Sequence, residues 1–204
     1  MIPNVIIKSL GLCNYQQTWQ EMRDFTLGRG KSTPDEIWLL EHPSVFTQGV
    51  AGKPEHVLNP GNIPIVQTDR GGQVTYHGPG QLVGYVLLDL RRLKIGVKSY
   101  VSLIENSVVQ LLADYNIKAN IKLGAPGIYV ADKKICSIGL KVSRGCSYHG
   151  IALNVNNDLE PFSRINPCGF QNLQMTKIND FIVVTLEEIG QNFCKKLVEN
   201  IHGK

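Results

Sequence analysis

Apolar residues recur at helical spacing in three stretches of the chain and crowd into short runs between them, so the pattern predicts helices and strands mixed along one chain. Tyr15, Trp19, Met22 and Phe25 share a helical face, with Asn14 placed to cap its start and Gly28 to stop it. The longest stripe is Val97, Tyr100, Val101, Ile104, Val108, Leu111, Leu112 and Tyr115. A stripe this regular has to be buried against a sheet. Thr185-Leu-Glu-Glu188 fits a capping box and opens a terminal helix whose apolar positions are Leu186, Ile189, Phe193, Leu197 and Ile201.

Strand-type runs fill the gaps. They lie at 5–10, 36–40, 45–47, 63–68 and 82–90, with the second and third expected to be joined by a tight connection through Glu41-His42-Pro43-Ser44. Further runs at 119–122, 127–130, 134–142 and 147–155 are separated by short turns and predict an antiparallel meander. Helices and strands do not alternate strictly, so the fold class is α+β, a mixed and largely antiparallel sheet flanked by helices, in a single domain over residues 1–204. The stretch 48–61 has no apolar period and predicts a long exposed loop.

Composition narrows the picture. With 204 residues, 43% hydrophobic and 19% charged, the chain can bury one substantial core. No window has the apolar length of a membrane span, and Met1-Ile-Pro-Asn-Val-Ile-Ile-Lys8 lacks the features of a leader, so a cytoplasmic protein that binds no membrane is expected. The cysteines at 13, 136, 146, 168 and 194 form no C-x-x-C pair, which argues for free thiols and against a zinc site. A net charge of +4 is spread along the chain rather than massed in a basic run, so it fits an acidic protein partner as well as nucleic acid, and a solvated surface with a slight positive excess equally.

Two segments carry candidate chemistry. Asn166-Pro-Cys-Gly-Phe170 places Cys168 between a proline and a glycine, at a turn where a thiol is presented from a loop. Three residues are candidate bases for it: Lys134, His149 and His77. On a strand beginning at Lys134, alternation groups it with Cys136, Ile138 and Leu140, which would bury part of the lysine and lower its proton affinity. The second segment, Arg70-Gly-Gly-Gln-Val-Thr-Tyr-His-Gly-Pro-Gly-Gln81, matches neither a P-loop nor a dinucleotide fingerprint. Its glycines read as a bulged hairpin or as a wall that lets a ligand approach the backbone, and N–H groups near Gly71, Gly72 or Gly169 are candidates for an oxyanion site.

Taken together, Arg70 to Gln81, Gly127-Ile-Tyr-Val130, Lys134-Ile135 with Gly139, His149-Gly-Ile-Ala-Leu-Asn-Val155 and Asn166-Pro-Cys-Gly169 resemble the octanoyltransferases of lipoate biosynthesis. The resemblance spans about residues 36–170 and implies a fold similar to the catalytic domain of lipoate and biotin protein ligases. It also implies that octanoyl-acyl carrier protein is the donor. The acceptor would be a lysine on lipoyl domains of 2-oxoacid dehydrogenases and the glycine cleavage H protein. Carried over by motif, Cys168 is the nucleophile and Lys134 its base, while Arg70, Gly71, Gly72, Gln73, Val74, Thr75, Tyr76 and His77, Ser137, Ile138 and Gly139, and Gly150, Ile151 and Ala152 line the acyl site. No cofactor or metal is implied, and a monomer is expected.

Such a pair is physically reasonable. An ammonium about 4 Å from a thiolate, at an effective dielectric of about 20, contributes roughly 4 kcal/mol to the charged form. The acidic carrier gives the chain's positive excess a use in docking. Cys136 and Cys146 are expected to be buried bystanders. An ATP-dependent lipoate or biotin ligase is the alternative, and Pro167-Cys168-Gly169 is the feature that an adenylating enzyme does not need.

Overall fold

The structure is a computed structural model that describes residues 5–203. In chain order it runs β1 (Val5–Leu12), α1 (Tyr15–Leu27), β2 (Asp35–Glu41), β3 (Val45–Gln48), β4 (Ile65–Gln67), β5 (Val74–His77), β6 (Gln81–Leu87), α2 (Val97–Asp114), β7 (Ala119–Lys122), β8 (Ala125–Val130), β9 (Lys133–Ser143), β10 (Cys146–Asn154) and α3 (Leu186–His202). Residues 1–4, which bear on the expectation of no leader, lie outside the described residues.

Seven strands form one sheet in the order β1-β2-β6-β10-β9-β8-β7, and β4-β3-β5 form a second. β1 runs parallel to β2, and every other pair in the large sheet is antiparallel. The large sheet matches the expected mixed, largely antiparallel sheet, and β7 to β10 are its meander. β2 and β6 are covered on both faces, which is why they read as unbroken apolar runs. Ile37, Leu39, Leu82 and Val86 face α2 and α3, whereas Trp38, Leu40, Val83, Tyr85 and Leu87 face Met22 of α1.

Three details depart from expectation. The runs at 36–40 and 45–47 belong to different sheets: Pro43 cannot continue a ladder, and His42 anchors the crossing by donating to the Cys13 carbonyl at 2.7 Å and accepting from the Tyr85 hydroxyl at 2.7 Å. The glycine-rich segment contains a true strand, β5, paired with β3. At α3, Thr185 caps the Glu188 N–H at 3.2 Å, but the Glu188 carboxylate accepts from the Tyr115 hydroxyl at 2.7 Å, so only half of the capping box forms.

Asp35 joins the start of β2 to the strand ends beside it. It is fully buried and accepts from Arg29 at 2.5 Å, Arg92 at 2.6 Å and the Asp89 N–H at 2.8 Å. Removing one member of such a cluster leaves a buried cation unpaired. Asp35→Ala should therefore lower the unfolding free energy by about 3 kcal/mol, measured as a drop in the urea midpoint at constant slope.

Candidate active site

The chain around Cys168 is pinned on both sides. Upstream, the Asn166 N–H donates to the His56 carbonyl at 2.8 Å; downstream, Lys134 receives the returning segment on both backbone groups, donating to the Gln174 carbonyl at 2.9 Å and accepting from the Thr176 N–H at 3.0 Å. Between these anchors Pro167–Gly169 makes a tight 3-10 turn in which Cys168 itself has a left-handed backbone, φ 56° and ψ 18°. That conformation is costly for a residue other than glycine, and it aims the thiol at the lysine.

Lys134 Nζ lies 3.0 Å from Cys168 Sγ and donates to the Pro126 carbonyl at 2.7 Å. The ring of Tyr129 lies beneath it, with the centroid at 5.3 Å. Lys134 is fully buried, and among the described residues no carboxylate pairs with it. Simple alternation does not account for its position. Ile128 pairs with Cys136 but Tyr129 pairs with Lys134, so Ile135 is an extra residue that bulges β9. The bulge sends Ile135 and Cys136 together into the core under α2, and Lys134 falls instead on the side of Ser137 and Gly139.

Its proton affinity departs from expectation as well. Burial pushes the Lys134 ammonium down, but Cys168 beside it and, less strongly, Tyr129 push it up further, and it ends above the usual lysine value.

A cavity of about 400 Å³ opens at Cys168. Arg70, Gly71, Gly72, Gln73, Thr75, His77, Ser137, Ile138, Gly139, Gly150, Ile151 and Ala152 all border it. Val74 and Tyr76 do not: on β5 they alternate with Thr75 and His77, so they turn into the small-sheet core with Phe46 and Phe162. Sequence reasoning missed Tyr15, Val83, Tyr85, Pro126 and Phe170 on the cavity wall, which are scattered over elements that no local motif links.

Arg70 is buried, and among the described residues no carboxylate pairs with it. Its guanidinium donates to the Thr47 carbonyl at 2.6 Å, the Thr47 hydroxyl at 2.9 Å, and the Gly71 and Gln73 carbonyls at 3.0 and 2.9 Å. The Gly71 N–H donates to the Leu140 carbonyl at 2.9 Å, which ties the glycine-rich segment to β9. Since the Gly169 N–H is likewise spent on the Asn166 carbonyl at 2.9 Å, the Gly72 N–H alone of the three oxyanion candidates has no backbone acceptor among the described residues.

The histidines near the cavity are neutral supports. His77 bridges the Thr47 hydroxyl (3.2 Å) and the Gln81 amide oxygen (2.8 Å), and burial holds it well below the usual imidazole value. Burial also lowers His42, to about 4. His149 Nε2 is bound to Asp69 at 2.9 Å, away from the thiol. Cys136 is buried and pushed up to about 12 by desolvation, and Cys146 is also buried. Among the described residues no group of side chains could hold a metal ion, and no helix is long and apolar enough to cross a membrane.

A mixed sheet with this layout is the catalytic scaffold of lipoyl and biotin ligases. A putative lipoate protein ligase from T. acidophilum superposes with a TM-score of 0.83 at 16% identity, covering 98% of this chain and 85% of that one. A lipoate-protein ligase A bound with ATP gives 0.81 at 16%, covering 99% and 86%. The biotin protein ligase from Aquifex aeolicus gives 0.58 at 15%, covering 100% and 71%. Residues 14–198 match the family described as lipoyl protein ligase A/B catalytic domain. The octanoyltransferase of Saccharophagus degradans is 60% identical over 188 residues, 92% of this chain and 87% of the relative, and that of Legionella pneumophila (strain Lens) is 57% identical over 192 residues, 94% and 96%. The chain belongs to the lipoyl protein ligase A/B catalytic-domain family, in its octanoyltransferase group.

Two outcomes are expected. Lys134→Ala should slow alkylation of Cys168 by iodoacetamide at pH 7 about tenfold, followed by intact mass, because the cation that favours the thiolate is gone. Acid should also unfold the protein through its neutral histidines. Their folded values lie below the unfolded value near 6.5, so the unfolded chain binds more protons and stability falls as pH drops from about 7 toward 4. Urea titrations at pH 7, 6 and 5 should give successively lower midpoints, with a weaker trend in His42→Asn.

Proposed function

We propose that this acyltransferase takes the octanoyl group of octanoyl-acyl carrier protein onto Cys168 as a thioester. It then passes the group to the ε-amine of a lysine on lipoyl domains of 2-oxoacid dehydrogenases and the glycine cleavage H protein, in the cytoplasm. The observation that carries this reading is the 3.0 Å contact between a buried ammonium and a loop thiol at the mouth of a cavity with several apolar walls. Its agreement with relatives that are octanoyltransferases at 52–60% identity supports the choice of acyl group.

The proton affinity of Lys134 organises the two half-reactions. In the first, the Cys168 thiolate attacks the donor thioester carbonyl. The carrier thiol leaves as the carbon–sulfur bond breaks and takes its proton from the Lys134 ammonium. Acylation removes the thiolate that held Lys134 protonated, and burial then favours the neutral amine. In the second half, neutral Lys134 accepts a proton from the attacking lysine as the amide forms, and Cys168 departs as thiolate to restore the ion pair. Donor thioester and product amide supply the driving force, so activation by ATP has no step to serve.

Intact-mass measurement after mixing with octanoyl-acyl carrier protein in the absence of ATP should show one octanoyl adduct, absent in Cys168→Ala and retained in Cys146→Ala. Persistence of the adduct in Cys168→Ala would overturn the assignment, and a requirement for ATP would favour the ligase reading.

A further inference from the structure

The cavity that reaches Cys168 crosses the large sheet from strand to strand. Residues directly opposite each other on neighbouring strands share a face. Ala152 of β10 pairs with Ser137 of β9 on one side and with Val83 of β6 on the other, and Gly150 pairs in the same way with Gly139 and Tyr85. All six border the cavity. The next strand takes no part: Trp38 and Leu40 of β2 lie opposite Tyr85 and Val83 but pack with Met22 of α1, outside the cavity lining. One end of the cavity is therefore at Cys168, beside Lys134 of β9, and the other is at β6. From β9 to β6 is two strand spacings, roughly 10 Å. A fully extended eight-carbon chain, with carbon–carbon bonds of about 1.5 Å, covers roughly 9 Å. The side chains along this crossing are small until Val83 and Tyr85, and a Cβ on Gly139 would stand 3.0 Å from Arg70 Cδ, so the glycine keeps floor and roof apart.

The β6 end is closed by groups that are held in place. The Tyr85 hydroxyl donates to His42 Nε2 at 2.7 Å, and His42 Nδ1 donates to the Cys13 carbonyl at 2.7 Å. Turning the Tyr85 ring aside would leave a nitrogen of the fully buried His42 unpaired, which costs more than the hydrogen bond itself gains. Tyr15 of α1 completes the end. Its ring stacks on His77 at 5.7 Å and meets His42 edge-on at 5.0 Å, and Tyr15 and His77 both border the cavity. Two rings from different elements are thus fixed by contacts behind them.

We propose that Tyr85 and Tyr15, held by His42 and His77, are a rigid end wall that sets the chain-length preference of the acyl pocket. An octanoyl chain on Cys168 crosses β9 and β10 and stops at the wall, whereas a longer chain has to push a packed ring out of place. The inference rests on the octanoyl-transfer reading and adds to it the residues that measure the chain.

The test compares acylation rates of Cys168, by intact mass, for hexanoyl, octanoyl, decanoyl and dodecanoyl carrier protein. Tyr85→Leu and Tyr15→Leu each remove a ring from the end, and Ala152→Val narrows the crossing ahead of it. Urea midpoints identify the folded variants, and the alanine position decides the matter if neither leucine variant folds. The decanoyl-to-octanoyl rate ratio should rise about tenfold in either leucine variant, the scale of burying two added methylenes. In Ala152→Val the hexanoyl-to-octanoyl ratio should rise instead, because a fixed wall leaves the chain no room to move on. A folded leucine variant that keeps the wild-type ratio would overturn the end wall alone, and so would an unchanged hexanoyl-to-octanoyl ratio in Ala152→Val. If the wild type gains no adduct from any chain, the transfer reading falls and takes the end wall with it.

Discussion

A fully buried ammonium without a carboxylate partner is expensive, and the structure around Cys168 is best understood as the set of groups that make Lys134 tolerable there. The Pro126 carbonyl accepts one of its protons, the thiol sulfur faces it at 3.0 Å, and the Tyr129 ring lies below. Two parts of the chain supply them: β8 gives both Pro126 and Tyr129, the latter set opposite Lys134 by the bulge, and the turn after residue 166 gives the thiol. Because burial favours the amine and the thiolate favours the ammonium, the charge of Lys134 depends on the state of the sulfur. In the proposed reaction this lets one lysine act first as acid and then as base without moving.

The cavity is a product of two sheets meeting. The large sheet supplies a floor whose central rung is glycine on both strands; β5 of the small sheet supplies Thr75 and His77, and the connection between β4 and β5 supplies Arg70. A Cβ on Gly150 would overlap the Gly84 carbonyl of the neighbouring strand, so close strand packing as well as ligand access selects glycine there. The polar groups of the upper wall are connected in one direction, from Arg70 through the Thr47 hydroxyl to His77 and Gln81, which fixes their protons and leaves the buried histidines uncharged.

Much of this was legible in the residues. Helix positions followed from apolar spacing, and the meander from short runs between turns, because both depend on local periodicity. The α2 stripe was legible but slightly rotated: Leu103 and Ser107 are buried while Val97 is largely exposed. The change of sheet at Pro43 could not be read, since it depends on which strands are free to pair. The extra residue at Ile135 was equally hidden, as a bulge on β9 is defined by its partner strand. Val74 and Tyr76 sit inside a motif associated with the acyl site yet face the core, because a strand gives alternate residues to opposite sides. The rise in Lys134 proton affinity was out of reach for a similar reason. Burial alone predicts a fall, and the nearness of Cys168, with a smaller share from Tyr129, reverses it.

The backbone pairing of Lys134 with Gln174 and Thr176 has a mechanical consequence. The same residue that holds the thiol through its side chain also moors the segment that carries it, while Asn166 moors the other end to His56. Residues 167–173 are thus a short tether with both ends fixed. The turn that carries Cys168 is therefore held beside Lys134 from both ends, so the sulfur can shift locally without leaving the reach of the ammonium.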